Sequence, residues 1–294
     1  MRYLSILADQ ALQILPYWAL GILLGSAISV FGKEKLHRLL GGVQARPGGL
    51  VLASAIGIAS PLCMYGTIPI AAALAHQGAR QDTLAAFMMS SVLLNPQLLV
   101  YTASLGEGVL AARLVSCLLC GVGAGLLVRL ASRRGHEFFR FSGVGEPGAS
   151  RDVHPDPLRR YLLNVWRNLR ATGPWFLAGV LLAAAFLYLL PHAAFGHLPG
   201  AGSSHLPEVV GMALVGIPFY VCGGGATPLM AGWMQLGLSL GGVVAFTLTG
   251  AGTKITNLSA LKMVLGMRNF LCYIAYVTLF AIAAGVCSNL FSRI

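Results

Sequence analysis

The sequence predicts an all-α polytopic membrane protein of two tandem repeats, each with about four apolar segments. Charged residues make up 10% of the chain and apolar residues 56%, and the mean hydropathy is +0.76. In a soluble domain, roughly a quarter of the residues are charged. The composition therefore predicts a chain embedded in lipid and excludes an ordinary soluble domain.

The duplication is visible as a motif that occurs twice without a gap. The copies are PLCMYGTIPIAAALAHQGARQDTLAAF from Pro61 and YVCGGGATPLMAGWMQLGLSLGGVVAF from Tyr220, 159 residues apart. At this offset Cys63 corresponds to Cys222. Each copy places Gly, Pro and Cys inside an apolar stretch, which is typical of interrupted membrane helices that face a protected cavity. The motif therefore predicts a broken re-entrant hairpin in each repeat, at a transporter-like substrate site.

Eight apolar segments follow one another, four in each copy. They lie at about residues 11–31, 48–76, 84–105, 109–130, 175–190, 207–236, 240–261 and 270–291. The first is about 20 residues long and follows Asp9, so it is interpreted as an uncleaved span. The boundaries predict a first membrane repeat at residues 1–131, a cytoplasmic polar linker without a fold of its own at 132–166, and a second membrane repeat at 167–294.

The basic residues favour an inverted arrangement of the repeats. If the motif segments, residues 48–76 and 207–236, are re-entrant hairpins, sixteen basic residues are cytoplasmic and only Arg2, Arg113 and Arg293 are external. Eight simple spans would leave seven outside, which the positive-inside rule disfavours. Three spans and one hairpin per repeat invert the second copy. The alternative is eight spans in parallel repeats. Because the net charge of +11 comes from loops and helix ends, no nucleic-acid partner is predicted.

Helix starts are predicted just after the two motif cysteines. Thr67 and Thr227 each precede a proline by one or two residues, and threonine caps helices while proline is tolerated in the first turn. The positive dipole ends of the two half-helices would lie beside Cys63 and Met64, and beside Cys222. Such an end favours a thiolate, which is a soft ligand. The alternative is that both cysteines are small apolar fillers.

The third segment of each copy is also interrupted. Pro96 breaks the first copy and a pair of glycines breaks the second. Asn95, Thr249 and Asn257 lie at these breaks, where amide and hydroxyl groups can satisfy freed backbone groups. We expect these side chains either to contact a ligand or to bond to their own backbone.

Lys254 is the one ionisable side chain that the sequence places deep in the membrane. An ammonium group there is costly unless it is paired, reaches the interface or loses its proton. A titrating lysine could couple transport to protons or hold an anionic group. The alternative is that Lys254 lies closer to the cytoplasmic end and snorkels.

Signals for enzymatic chemistry are weak. Cys117 and Cys120 form a CxxC pair that a membrane thiol oxidoreductase could use, although buried packing is the commoner role. His192, His197 and His205 are expected to be solvated loop residues rather than a zinc site. The chain has no GxxxxGK[ST] or HExxH motif. The sequence therefore predicts a secondary transporter without a cofactor rather than an enzyme.

The paired motifs resemble the ArsP-like family of predicted permeases over nearly the whole chain. In the first copy the resemblance rests on Pro61, Cys63, Pro69, Leu74, Gly78, Ala86, Phe87 and residues 91–96, and in the second on Pro218, Cys222, Pro228, Gly237 and Phe246. It implies export of trivalent organoarsenicals such as methylarsenite, and relatives are proposed to export copper or zinc. Family motifs often carry CxC, whereas Tyr65 and Gly224 stand at the second position here.

The combined prediction is a multi-pass permease of the cell inner membrane that exports trivalent organoarsenicals by alternating access, coupled to protons. Cys63 and Cys222 would be the soft ligands, with no certain metal site. Methionine sulfurs would offer polarizable surroundings, from Met88, Met89, Met230 and Met234. A soft-metal efflux permease for copper or zinc is the alternative, and a thiol oxidoreductase the weaker one. The predicted partners are a small-molecule substrate and membrane lipid. The sequence leaves open whether the chain forms a homo-oligomer.

Overall fold

The computed structural model describes the main helical parts of the 294-residue chain. The described residues are 8, 12, 15–16, 19, 22–23, 26, 48–60, 67–68, 71, 74–75, 78–133, 138–139, 156–167, 169–170, 173, 177, 181, 206–217, 226–253 and 255–292, without the side chains of 255–260 and 263. Every regular element among them is an α-helix. An all-α fold is therefore confirmed for this part of the chain.

The helices with defined bounds are α1 Gly49–Ala59, α2 Gln81–Leu93, α3 Pro96–Ala103, α4 Glu107–Ser132, α5 Leu206–Gly216, α6 Ala226–Gln235, α7 Leu240–Gly252 and α8 Ile255–Phe291. The helix α8 is kinked at Gly266, whose φ of 69° is not helical. In the described residues, α4 and the Val264–Phe291 part of α8 are each long and apolar enough to cross a membrane. The pair α2 and α3, bent by 41°, gives a third candidate. These helices are compatible with a membrane protein.

Both predicted interruptions of the third segments are confirmed. In the first copy α2 ends at Leu93 and α3 begins at Pro96, which has no N–H to continue the ladder. In the second copy α7 ends at Gly252 and α8 begins at Ile255. Thr227 lies in the described part of α6, which runs from Ala226, and the predicted helix start beside it stays a prediction.

The burial of the helices separates a central layer from an outer one. All residues of α2 from Asp82 to Leu93 and of α7 from Gly241 to Gly252 are buried. The long helices α4 and α8 instead expose apolar side chains, with Leu119 54% and Leu279 68% exposed. Such faces suit contact with lipid. The two broken segments thus form the centre of the described fold.

In the first half, α1 and α2 run in the same direction and α4 runs against both. Leu50 and Asp82, near the starts of α1 and α2, both lie against Gly125 of α4. Further along, Ser54 Oγ lies 2.6 Å from Ser90 Oγ. Gly121 of α4, which precedes Gly125, faces Ser54 and Ser90. The order of these contacts along the chain shows that α1 and α2 are parallel and that α4 is antiparallel to both.

In the second half, the directions of α5, α7 and α8 also follow from their contacts. Glu208 Oε1 at the start of α5 accepts the Ser239 N–H just before α7, at 2.8 Å. At the other end of α5, a Cβ on Gly216 would lie 2.8 Å from the Phe246 carbonyl oxygen. Consequently α5 and α7 are also parallel. The α8 residue Gly285 lies against the Gly241 carbonyl near the start of α7.

The polar linker contains structure that the sequence did not predict. Residues 157–167 are helical, although the sequence assigns them to a linker without a fold of its own. Leu158, Leu162 and Trp166 recur on this helix and are 64%, 55% and 62% exposed. A spacing of four places them on one apolar face. This apolar face was not predicted from the sequence because the arginine runs make the segment as a whole strongly charged.

Candidate functional site

The ends of the two buried half-helices meet at the centre of the fold. A Cβ on Gly252, the last residue of α7, would lie 3.3 Å from Leu93 Cδ2 at the end of α2. Leu93, Leu248 and Ala251 belong to one buried cluster. The last carbonyl groups of a helix have no partner within it and carry partial negative charge. The meeting point therefore brings two polar helix ends into an apolar core.

Each of these helix ends has a side-chain donor from a long helix. Tyr273 Oη of α8 donates to the Gly252 carbonyl oxygen at 2.8 Å. Arg113 of α4 directs Nη2 at the Leu93 carbonyl oxygen, at 3.5 Å, and Nη1 donates to Thr102 Oγ1 at 2.6 Å. The two halves thus cap corresponding carbonyls, one with a neutral hydroxyl and the other with a cation.

Arg113 is a functional candidate that sequence analysis missed. The residue is 4% exposed and its Nε has no hydrogen-bond partner among the described residues. No carboxylate in the described part of the chain pairs with it. Burial costs an ion several kcal/mol, whereas a helix C-terminus returns about 2 kcal/mol at most. The capped carbonyl therefore does not balance this charge.

The burial of Arg113 had little support in the sequence. Arg113 lies six residues into the α4 segment, close enough to its end to be assigned to the external side. Whether an arginine near a segment end reaches the interface or turns inward depends on its neighbours in space. Here Thr102 and Leu93, from two other helices, hold it inside.

Hydroxyl groups line the contacts that α1 and Thr67 make with α2. Ser54 Oγ, beside Ser90 Oγ, also donates to the Leu118 carbonyl oxygen at 2.9 Å. Thr67, one of the predicted site residues, has its Oγ1 3.1 Å from Ser91 Oγ. The fully buried Ser60 Oγ has no partner in the described residues. This region thus combines satisfied hydroxyls with one buried donor that a ligand could use.

Comparison with known proteins identifies the family. The family ArsP_1, described as a predicted permease, matches residues 1–290. The chain belongs to this family of predicted permeases. A curated relative, UPF0718 protein YraQ of Escherichia coli (strain K12), is 28% identical over 246 residues, which are 83% of this chain and 68% of the relative. No solved structure matches the chain.

Two of the predicted site residues form hydrogen bonds with the backbone of the permease itself, and a third is buried in a helix. Asn95 Oδ1 caps α3 by accepting the Leu98 N–H at 2.9 Å. Thr249 Oγ1 donates to the Ala245 carbonyl oxygen at 3.0 Å. Thr227 is buried in α6. For Asn95 and Thr249 the backbone alternative is therefore realised in this structure.

The other predicted residues lie outside the described part of the permease. They are Cys63, Met64, Cys222, Lys254, His192, His197, His205 and the side chain of Asn257. Cys117 and Cys120 are described, and both are buried free thiols in α4. Within the described residues, no group of three or more His, Cys, Asp and Glu could hold a metal ion.

An apolar cavity of about 300 Å³ lies between α2, α4 and α8 of the permease. Met88 and Met89 line it, with Tyr276 and Cys272 from α8. The methionines that were predicted to surround the substrate therefore do not all lie together, because Met230 belongs to a different buried cluster. The cavity offers an apolar, polarizable surface next to the central helix ends.

A short piece of the linker bridges the two halves beside this cavity. The Phe138 N–H donates to Gln81 Oε1 at 2.9 Å, and Asn269 Nδ2 donates to the Phe138 carbonyl oxygen at 3.0 Å. Phe138 and Phe139 both line the cavity. The start of α2 and the Asn269 region of α8 are therefore held on the same side of the molecule.

Proposed function

We propose that this permease is a secondary transporter of the cell inner membrane that exports trivalent organoarsenicals by alternating access, coupled to protons. It consists of two inverted membrane repeats, residues 1–131 and 167–294, joined by a cytoplasmic linker at 132–166. Each repeat contributes one re-entrant hairpin and one broken span to the pathway. The support comes from helix direction, matched contacts and the family.

The re-entrant hairpins are supported by the parallel direction of the helices that flank them. A chain that leaves α1 at Ala59 and begins α2 beside the start of α1 must first return to that level. The intervening residues 60–80 contain helical positions from Thr67 onward, which supply the returning limb. In the second copy α6 is the returning limb, and the hydrogen bond between Glu208 and Ser239 joins the two ends of the hairpin.

Inversion is supported by contacts at both ends of the fold. On one side, Phe138 joins Gln81, at the start of α2, to Asn269. Asn269 is far from the start of α7, because α8 passes Gly252 at Tyr273 and reaches the α7 start only at Gly285. The helices α2 and α7 therefore start from opposite sides.

Contacts at the opposite end of the fold also support the inversion of the two halves. Val109, near the start of α4, belongs to the same buried cluster as Leu238 and Val243 at the start of α7. Because α4 runs against α2, its start lies away from Gln81. Arg80, Arg129 and Arg133 lie on the Gln81 side, as the positive-inside rule requires of a cytoplasmic face.

Matched close contacts support a common origin of the two halves. A Cβ on Gly57 would lie 2.6 Å from the Phe87 carbonyl oxygen, and one on Gly216 would lie 2.8 Å from that of Phe246. Both residue pairs are 159 positions apart, the offset of the motif. The Asp82 and Gly241 carbonyl groups are also 159 positions apart, and they lie against Gly125 and Gly285, which are 160 positions apart.

The observation that carries the transport mechanism is the meeting of Leu93 and Gly252. Two discontinuous helices that enter from opposite sides and end at one central point are the recurrent plan for midplane substrate sites. Rocking one repeat against the other would then expose this point alternately to each side. The half-helices themselves need not unfold for this motion.

The arsenical substrate is supported by the resemblance of the motifs and by soft side chains. Trivalent arsenic is thiophilic, and the proposal assigns Cys63 and Cys222, the cysteines of the two motif copies, to the tips of the hairpins. The cavity lined by Met88 and Met89 would accept the organic substituent. Lys254 lies in the sequence between Gly252, the end of α7, and Ile255, the start of α8, and is the proposed proton-coupling group.

The Cys222→Ser variant tests this proposal. Because an alcohol is a far weaker ligand for trivalent arsenic than a thiolate, cells that carry the variant are expected to lose most of their methylarsenite resistance. Resistance and export from preloaded cells are measured at matched amounts of membrane protein. Parallel loading with copper and zinc separates the arsenical from a soft-metal substrate.

Cys287→Ser is the matched control for this experiment. Cys287 is an exposed free thiol on the outer face of α8, and its replacement should leave resistance unchanged. Full methylarsenite resistance in Cys222→Ser cells would remove this thiol from the mechanism.

A further inference from the structure

Arg113 and Ser60 carry the unsatisfied polar groups of the first repeat's core. Arg113 Nε and Ser60 Oγ are buried and have no hydrogen-bond partner in the described residues. The exposed fractions are 4% for Arg113 and 0% for Ser60. Native proteins seldom leave such donors orphaned without a functional reason. A ligand that accepts from both would resolve the deficit.

The two residues lie at the same depth on helices that touch. The bond from Ser54 Oγ to the Leu118 carbonyl oxygen marks one common level on α1 and α4. Ala59, the last residue of α1, lies about 8 Å beyond Ser54, and Arg113 lies about 8 Å before Leu118, at 1.5 Å per helical residue. Ser60 follows Ala59 as the extended C-cap of α1. Because α1 and α4 are antiparallel and in contact, both steps lead in the same direction.

The guanidinium presents its free edge in a form suited to an anion. Nη1 donates to Thr102 at 2.6 Å, Nη2 makes a long contact of 3.5 Å with the Leu93 carbonyl oxygen, and Nε has no hydrogen-bond partner among the described residues. The neutral thiol of Cys117, one turn along α4, also lies beside the guanidinium and does not neutralise its charge. The Nε and Nη2 atoms form the planar fork that binds carboxylates and oxyanions through two parallel hydrogen bonds. A lone carbonyl oxygen would use only half of this fork.

The second half of the molecule shows that helix capping does not require this charge. There the corresponding carbonyl, that of Gly252, is satisfied by the neutral Tyr273 hydroxyl at 2.8 Å. A permanent cation in the first half must therefore serve another purpose. Arginine does not lose its proton in proteins, so it does not act as a proton carrier either.

We propose that Arg113 and Ser60 form an anion subsite that binds a carboxylate or other oxyanion group of the transported solute. The subsite lies at the break between α2 and α3, where the two halves meet. This proposal rests on the proposed transport function and deepens it, because it assigns a negative charge to the preferred solute. A solute that joins a soft arsenic centre to a carboxylate would satisfy both sites.

Two arsenicals that differ only in a carboxylate test the subsite. Phenylarsine oxide and 4-carboxyphenylarsine oxide are titrated against the full-length permease in lipid nanodiscs. The wild type is expected to bind the carboxylated compound about 10- to 100-fold more tightly, the range of charge-assisted hydrogen bonds. Arg113→Gln should erase this preference but leave binding of phenylarsine oxide nearly unchanged. Arg113→Lys, which keeps the charge but loses the fork, should retain only part of it.

Ser60→Ala provides a second, milder variant that is expected to fold. It should reduce the preference by about 3- to 10-fold, as the loss of one hydrogen bond does. Equal affinity of the wild type for both compounds, or a preference that survives Arg113→Gln, would overturn the subsite. Sodium benzoate serves as an arsenic-free probe. Arg113-dependent stabilisation by benzoate without binding of either arsenical would support the subsite and refute the arsenical substrate.

Discussion

Gly241→Ala is expected to remove most of the folded permease from the membrane. The added Cβ would lie 2.1 Å from the Gly285 carbonyl oxygen and 2.6 Å from the side chain of Asn289. A backbone atom cannot rotate away, so α7 and α8 must separate. Overpacking a core costs about 1–3 kcal/mol even when side chains can adjust, out of a total stability of about 5–15 kcal/mol. Size-exclusion chromatography of a fluorescent fusion measures the folded yield.

Gly211→Ala is the control for this substitution. Gly211 lies in the interior of α5, and nothing is within 4 Å of the position that a Cβ would take. Its yield should match the wild type, because alanine is also the better helix former. If Gly241→Ala gave the same monodisperse yield, the close crossing of α7 and α8 would be wrong.

Asp82→Asn is expected to destabilise the first repeat by about 1–2 kcal/mol. This is the energy of a charged hydrogen bond, lowered because solvent screens the exposed arginine partners. The Asp82 carboxylate is 4% exposed and accepts Arg129 Nε at 2.6 Å and Arg80 Nη2 at 2.8 Å. Arg129 thereby fastens the start of α2 to α4. An amide keeps the shape but loses the charge, so the thermal midpoint in detergent should fall.

Glu107→Gln is the matched control, since Glu107 also lies in the first turn of a membrane helix. Its side chain is exposed, and we expect a change within about 0.5 kcal/mol. Equal shifts of the thermal midpoint for Asp82→Asn and Glu107→Gln would show that the contact with Arg129 adds no stability.

The local breaks of the chain were predictable because they follow from covalent structure. Pro96 has no N–H and so begins a helix rather than continuing one, and the glycines near Gly252 weaken the end of α7. These signals depend only on the residue and its immediate neighbours.

The environment of Arg113 was not predictable from local sequence. Its burial depends on Thr102 and Leu93, which α4 meets only after the helices assemble. The parallel direction of α1 and α2 is likewise set by contacts such as that between Ser54 and Ser90. Periodicity gives the helices and their breaks, whereas the chemistry of the core depends on which helices meet.

The central claim is that the hairpins return to their own side and that the two repeats face opposite sides. Single cysteines introduced at Ser132, Leu206 and Gln235 in a cysteine-free chain, all exposed positions, test it with a membrane-impermeant maleimide added to either side. Leu206→Cys and Gln235→Cys are expected to react from the external side and Ser132→Cys from the cytoplasmic side. Reaction of Leu206→Cys and Gln235→Cys from different sides, or of all three from one side, would contradict it.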